Sequence, residues 1–402
     1  MNTIRFLAIA CAAALPLMAP AAETSSLSFE WNARLRHEHV RDDAFASSAD
    51  ATTLRVRAGL RWRISDAWQA FAEGEGVASA GDDYNSGANR RTGYPVVSDP
   101  EGAELNQAWL RGTHAGVSAT VGRQRLLLEN QRWLGNVGWR QNEQTFDALA
   151  VEWKASPSLA IAYDWLNRVH RVSSDRAVDR LARERDLDGH VLQAAWTQGA
   201  HRVAGYALAI EDQDAAAVST RTLGVRYVLP PKAGVRRAGL VADVARQVDH
   251  AANPQDFAHT YWLLEPALLA GGTTLKAGWE HLGGNGRHAL QTPLATLHAF
   301  NGWADKFLVT PAAGLEDRYV SAGGQFLRTR AAGPVEWVLA WHDYRADSGG
   351  ARYGTEANAS LSMALRPGWR ATAKLADYRA DAFARDTRKA WLQLEWTPAP
   401  AK

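Results

Sequence analysis

Residues 53–64 read TLRVRAGLRWRI. Leu54, Val56, Ala58, Leu60, Trp62 and Ile64 take every second position, with Arg55, Arg57, Arg61 and Arg63 between them. Successive side chains of a strand point to opposite faces, so this segment is a strand with one apolar face and one guanidinium face. Residues 27–40 divide the same way: Leu27, Phe29, Trp31, Ala33 and Leu35 against Glu30, Asn32, Arg34, Arg36 and Glu38.

The alternation continues along the chain and predicts eighteen strands, near 27–40, 53–64, 67–78, 104–111, 117–125, 145–154, 159–168, 189–197, 201–210, 218–228, 235–248, 258–269, 273–282, 316–328, 335–344, 354–365, 369–379 and 387–396. Even-numbered strands lead into short turns such as Ser65-Asp66 and 366–368. Odd-numbered strands mostly lead into long polar loops, of which 79–103, 126–144, 169–188 and 283–315 are the longest. Turns sorted to one side and loops to the other, with an even strand number, are the layout of an outer-membrane barrel. The predicted fold is therefore all-β: a transmembrane antiparallel up-and-down β-barrel of about 18 strands, with both termini on the periplasmic side. Closure also removes the unpaired edges that such regular strands would otherwise leave.

The rest of the composition agrees with this. Residues 1–22, MNTIRFLAIACAAALPLMAPAA, have one cation, an apolar run and small residues at the end, the build of a secretory signal peptide, which leaves 23–402 as the barrel domain. The single cysteine, Cys11, lies in that leader; Ala8 stands where a lipidation signal prefers Leu, and the apolar run continues past it. The exported chain then has no disulfide and no thiolate metal site. No later stretch reaches the roughly 18 apolar residues of a spanning helix. The mean hydropathy of -0.31 is compatible with spanning strands, which show lipid only alternate residues. Tryptophan, at 17 against 10 Phe and 10 Tyr, suits aromatic girdles at the two membrane interfaces. The net charge of +2, from 45 cations and 43 anions, does not point to a nucleic-acid partner; the placement of the charges matters more than their sum. The expected partners are outer-membrane lipid and lipopolysaccharide around the wall and an anionic saccharide or other small solute within. No cofactor is expected, and no metal, since the Asp82-Asp83 pair lacks the spaced oxygen ligands of a Ca²⁺ loop. Nothing marks one outer wall as a subunit interface.

Residues 122–149, GRQRLLLENQRWLGNVGWRQNEQTFDAL, are too polar and glycine-rich for a plain strand. With QTPLATLHAFNGWADKFLVTPAAGLED (291–317), HDYRADSGGARYGTE (342–356) and ADYRADAFARDTRKAWLQLEW (376–396), they resemble the alginate export family of outer-membrane barrels, in its less characterised branch. The resemblance implies an eighteen-stranded barrel with an arginine-rich constriction that draws a linear polyuronate outward. The positions matching the family's basic strand and infolded loop are Arg123, Arg125, Arg132 and Arg140.

Alternation alone places Arg34, Arg36, Arg55, Arg57, Arg61 and Arg63 in the lumen, because lipid exposure near the midplane costs about 2–4 kcal/mol for each. Guanidinium groups grip carboxylates with paired hydrogen bonds, so a ladder of weak sites could pass a carboxylated sugar along. The competing reading is that these arginines pair with Glu30, Glu38, Glu73 and Glu75 and fill the wall; both can hold if the cations outnumber their partners. In the loop, Trp133 and Trp139 are read as stacking platforms for sugar rings and Asn130 as a polar reader, or else as interfacial surface residues. HAFNGWADKF (298–307) is read as a short helix or a gate.

Three functional classes are weighed. The leading expectation is a channel for anionic solutes, of the uronate type, with general uptake of small polar solutes as the alternative. A barrel hydrolase is disfavoured by the absence of G-x-S-x-G or H-E-x-x-H and by dispersed histidines. A soluble carbohydrate-binding protein would have no reason to sort its loops by side.

Overall fold

The computed structural model describes residues 25–326 and 333–398. The leader read at 1–22, the end of the strand read at 316–328 and residues 399–402 lie outside the described residues. Eighteen strands follow in order: β1 (Ser26–Asp42), β2 (Ala49–Arg63), β3 (Trp68–Ser79), β4 (Gly102–His114), β5 (Val117–Gln124), β6 (Thr145–Lys154), β7 (Leu159–His170), β8 (Glu184–Gln198), β9 (His201–Asp212), β10 (Thr220–Leu229), β11 (Ala238–Asp249), β12 (Ala258–Ala270), β13 (Thr273–Leu282), β14 (Leu315–Phe326), β15 (Val335–Arg345), β16 (Arg352–Arg366), β17 (Trp369–Ala380) and β18 (Thr387–Trp396). Each pairs antiparallel with its chain neighbours, and β1 pairs with β18, with Arg34 opposite Glu395 and Arg36 opposite Gln393. The sheet is thus a closed cylinder, with both termini on the short-turn side, so no backbone edge faces lipid.

The two faces of β2 behave as the alternation requires. Leu54, Leu60 and Trp62 are 43%, 49% and 44% exposed on the outer wall, while Arg55 and Arg57 between them are buried. In a soluble protein such a band of exposed apolar residues would be a liability, whereas here it is the surface that lipid covers.

The interior is filled to an extent that alternation does not foretell. Loops 125–144 and 283–314 turn inward and build an apolar cluster inside the cylinder: Leu128, Trp133 and Leu134 from the first, Leu290, Leu294 and Phe307 from the second, and inward-facing Phe146, Tyr206, Tyr261 and Tyr344 from the wall. Backbone bonds lock the loops together, from Gly135 N to Leu294 O at 2.9 Å and from Thr296 N to Gln131 O at 3.0 Å. The HAFNGWADKF segment keeps only a single 3₁₀ turn, Leu297–Ala299. Beyond it Asn301, Gly302 and Asp305 all have φ between 54° and 83°, which no continuing right-handed helix allows.

Candidate functional site: the constriction and its outer vestibule

The wall of β1, β2, β17 and β18 carries the arginines, and the infolded loop 125–144 lies against them. Arg34 Nη1 donates to the carbonyls of Gly138, Trp139 and Arg140 at 3.1, 3.2 and 3.3 Å, and its Nη2 lies 3.2 Å from Glu395. Arg36 donates to Gln393 and to the Trp139 carbonyl, lies 3.5 Å from Asp99 and stands 4.1 Å above the Trp139 ring. Arg55 reaches Asn32 and Glu395. Arg57 holds Glu75, the Gln141 carbonyl and Glu143. Arg34, Arg36 and Arg57 therefore anchor the loop, while Arg55 is held by β1 and β18, and all four are buried. Arg61 pairs with Glu30 and lies 4.4 Å from the Phe71 ring, nearer the turn side, and Arg63 ends β2 at the turn-side rim.

The loop's own cations are committed in the same way. Arg125 pairs with Glu73 and Glu143; Arg132 with Glu280 at 3.1 Å and Asn301 at 3.0 Å; Arg140 with Glu38 at 3.2 Å and Asp305 at 3.1 Å. The pairing read from the sequence is present, since Glu30, Glu38, Glu73 and Glu75 all take arginines. Arg123 is placed differently. It shares the parity of Val121, which is 53% exposed on the lipid face, and pairs with Asp147, so it does not reach the lumen. The reason is a one-residue offset, since Thr120 and Gln124 hold the inward positions of β5.

The tryptophans are not open stacking platforms. Trp133 is buried, donating from Nε1 to the Tyr206 hydroxyl at 2.9 Å and meeting Tyr261 edge-on. Trp139 lies flat on His298 at 4.8 Å, with Lys374 3.9 Å from its ring. Asn130 is half-buried at the loop tip, next to Glu129, which accepts from Arg202 and Gln193.

Asp305, in loop 283–314, was not singled out from the sequence, yet it joins three elements: it accepts from Arg140 and from Lys389 of β18 at 2.8 Å, and from His298 Nδ1 at 2.7 Å. The other ring nitrogen of His298 faces Lys374 Nζ at 2.8 Å, so that nitrogen accepts and the ring is neutral. Burial pushes His298 down to about 3, with Lys374 and Arg140 working in the same direction and Asp305 against them. Burial alone would raise Asp305, but Lys389, His298 and Arg140 reverse this and hold it well below the usual carboxylate range. No sequence signal marks Asp305, because its Lys and Arg partners lie 84 and 165 positions away.

Around the loop-bearing wall, eight cations (Arg34, Arg36, Arg55, Arg57, Arg125, Arg140, Lys374, Lys389) face seven carboxylates (Glu38, Glu73, Glu75, Asp99, Glu143, Asp305, Glu395). Further round the wall, on β13, β14 and β16, Glu280, Asp317 and Glu356 are buried and covered by loop 283–314: Asn301 donates to the first two, and the amides of Trp303 and Ala304 to the third. On the loop side of the constriction lies a vestibule of about 1030 Å³, whose charged lining is Arg140, Arg171, Arg185, Arg287 and Lys306 against Asp179 and Asp305. Away from the lumen, His281, Glu316 and Asp347 bring one donor atom each within 4.8 Å of one another on the outer rim, where Glu316 is taken by Arg318 and Asp347 by the Gly284 amide.

The family model described as alginate export matches residues 25–298. The chain belongs to the alginate export family. Among curated proteins none matches the sequence. Solved barrels share the fold at low identity. Acinetobacter baumannii OccAB2 aligns with TM-score 0.72 at 12% identity, covering 94% of this chain and 98% of that one. Pseudomonas aeruginosa OccK9 (OpdG) aligns with TM-score 0.72 at 13%, covering 93% and 98%. P. aeruginosa OpdK with vanillate aligns with TM-score 0.69 at 13%, also covering 93% and 98%. This alginate export family member is an integral protein of the Gram-negative outer membrane, a channel and not an enzyme.

Proposed function

We propose that this channel passes anionic solutes, and that carboxylated saccharides of the uronate type are the cargo its constriction is built for. The observation that carries this is the excess of cations along the passage, eight against seven on the loop-bearing wall and five against two in the vestibule. Pairing consumes part of each guanidinium's hydrogen-bonding capacity, but the unneutralised charge remains and biases the local ion population toward anions. Glu280, Asp317 and Glu356 accept hydrogen bonds from loop 283–314, which covers them. Weak, repeated attraction is what conduction requires.

The interlocked loops favour a second reading, general uptake of small polar solutes, because a lumen this filled admits a long polymer only if the loops part. OpdK, with the same fold, has been crystallised with vanillate, a small carboxylate. Reconstitution in planar bilayers tests the first reading through the reversal potential in a KCl gradient, which is expected to show anion preference. Block by uronate oligomers then separates it from the second, which predicts passage of monomers and indifference to oligomers. Cation preference without block would reject the anion channel and leave the barrel intact.

A further inference from the structure

The vestibule contains an arrangement that the constriction does not need. Arg185, on β8, faces the cavity with its side chain 6% exposed; Nη1 meets Asp212 at 2.8 Å, while Nε and Nη2 are enclosed and have no hydrogen-bond partner among the described residues. Arg171 follows β7, whose Val169 is opposite Arg185 in the ladder, so the two arginines lie next to each other across the β7–β8 pair. Its only side-chain bond is from Nη1 to the Pro293 carbonyl at 3.3 Å, and no carboxylate comes within ion-pair distance of it among the described residues. Two adjacent guanidiniums thus have a single paired carboxylate, Asp212 on Arg185, in a partly desolvated pocket. Leaving charged donors unsatisfied and like charges adjacent is costly unless an anion completes the set. Burial, then the like charge of Arg185, pushes Arg171 down to about 10. The nearest lining acid, Asp179, spends Oδ1 on capping the Leu181 amide.

We infer that the outer vestibule holds a docking site for the carboxylate of a sugar acid, built on Arg171 and Arg185, which captures the solute from the external side before it reaches the constriction. This rests on the anion-channel reading and adds a place and a side to it. A planar carboxylate fits the forked donors of a guanidinium, and one bridging Nε and Nη2 of Arg185 would also screen Arg171. Arg287, with no ion pair among the described residues, stands at the mouth of the same cavity, and Ser173, Gln255 and His288 offer partners for sugar hydroxyls. The cavity is at the upper end of the roughly 300–1,000 Å³ typical of small-ligand pockets, room for more than one sugar ring. The loops that build it are the long ones, so it opens to the exterior.

The experiment compares block by trigalacturonate added to the loop side or the turn side of a planar bilayer, for the wild type, Arg171→Gln, and the double variant Arg171→Gln/Arg185→Gln, with maltotriose as the uncharged control. The wild type is expected to be half-blocked at a concentration at least fivefold lower from the loop side, with that difference reduced in Arg171→Gln and lost in the double variant. Maltotriose is expected to act alike on all three. Arg171 lies outside the strands, so its single variant keeps the test open if the double variant does not assemble. Equal block from both sides in the wild type, or unchanged loop-side block in Arg171→Gln, overturns the docking site. A wild type that lacks anion preference in a KCl gradient fails the channel reading itself, a different result from an anion-selective wild type whose variants are blocked as before.

Discussion

His298 shows how much a single ring can report. Its Nδ1 donates to Asp305 and its Nε2 accepts from Lys374, so adding a proton sets a cationic N–H against an ammonium. The folded protein therefore holds His298 near 3, far below its ordinary 6.5. A depressed folded value means that the stabilisation is complete above pH 6.5 and is lost as pH falls from there toward 3. Asp305, held well below the usual carboxylate range, stays ionised through most of that window. Linkage makes the full difference on the order of 5 kcal/mol, discounted where the loops open before the barrel does. The thermal midpoint of detergent-solubilised protein, followed by tryptophan fluorescence, is expected to fall between pH 6.5 and 4, and His298→Gln to flatten that fall. An equal slope in the variant would remove His298 from the account. None of this was readable in the sequence, where His298 was one of twelve dispersed histidines.

At the scale of elements, what was legible and what was not divide by range. A strand's two faces follow from neighbouring residues, so Arg34, Arg36, Arg55 and Arg57 could be turned inward from the alternation of β1 and β2 alone. What they grip could not, because the carbonyls of Gly138 to Arg140 are more than a hundred positions from Arg34. Trp133 and Trp139 looked like platforms because a loop is presumed to lie in water; here the loop supplies a core, and its aromatic residues pack there. Arg123 was placed inward from resemblance, where the parity of Val121 on its own strand pointed outward. The joint between the two loops is tight at Gly135: a Cβ there would come 2.3 Å from Thr296 Oγ1 and 2.7 Å from Gln131 Cβ. Gly135→Ala is expected to cost about 1–3 kcal/mol of loop packing and to raise single-channel conductance and current noise, with the barrel's heat-modifiable gel shift retained. A variant with wild-type conductance and noise would mean that the loop joint does not set the passage.

For the whole molecule the question is how the cylinder closes. Trp396, the last residue of β18, meets Trp31 of β1 at 4.0 Å edge-on and stacks on Trp369 of β17 at 5.4 Å, while Asn32 donates to its carbonyl. Trp396, which TPAPAK follows in the sequence, is thus the aromatic residue at the seam. Each such ring pair is worth about 0.5–1.5 kcal/mol beyond its buried area. Trp396→Ala is therefore expected to reduce the fraction that migrates as compact barrel in unheated gels and to lower its unfolding temperature, and an unaltered fraction would show that closure does not depend on this cluster.

Arg34 and Arg36 belong to the first strand, and Glu395 and Gln393, which steady them, to the last. A half-zipped sheet therefore lacks the brace on which the infolded loop rests, so the filter takes its final shape only as the first and last strands join. Any chain stalled before that step is a sheet without a sieve, and the finished sieve is evidence that assembly ran to completion.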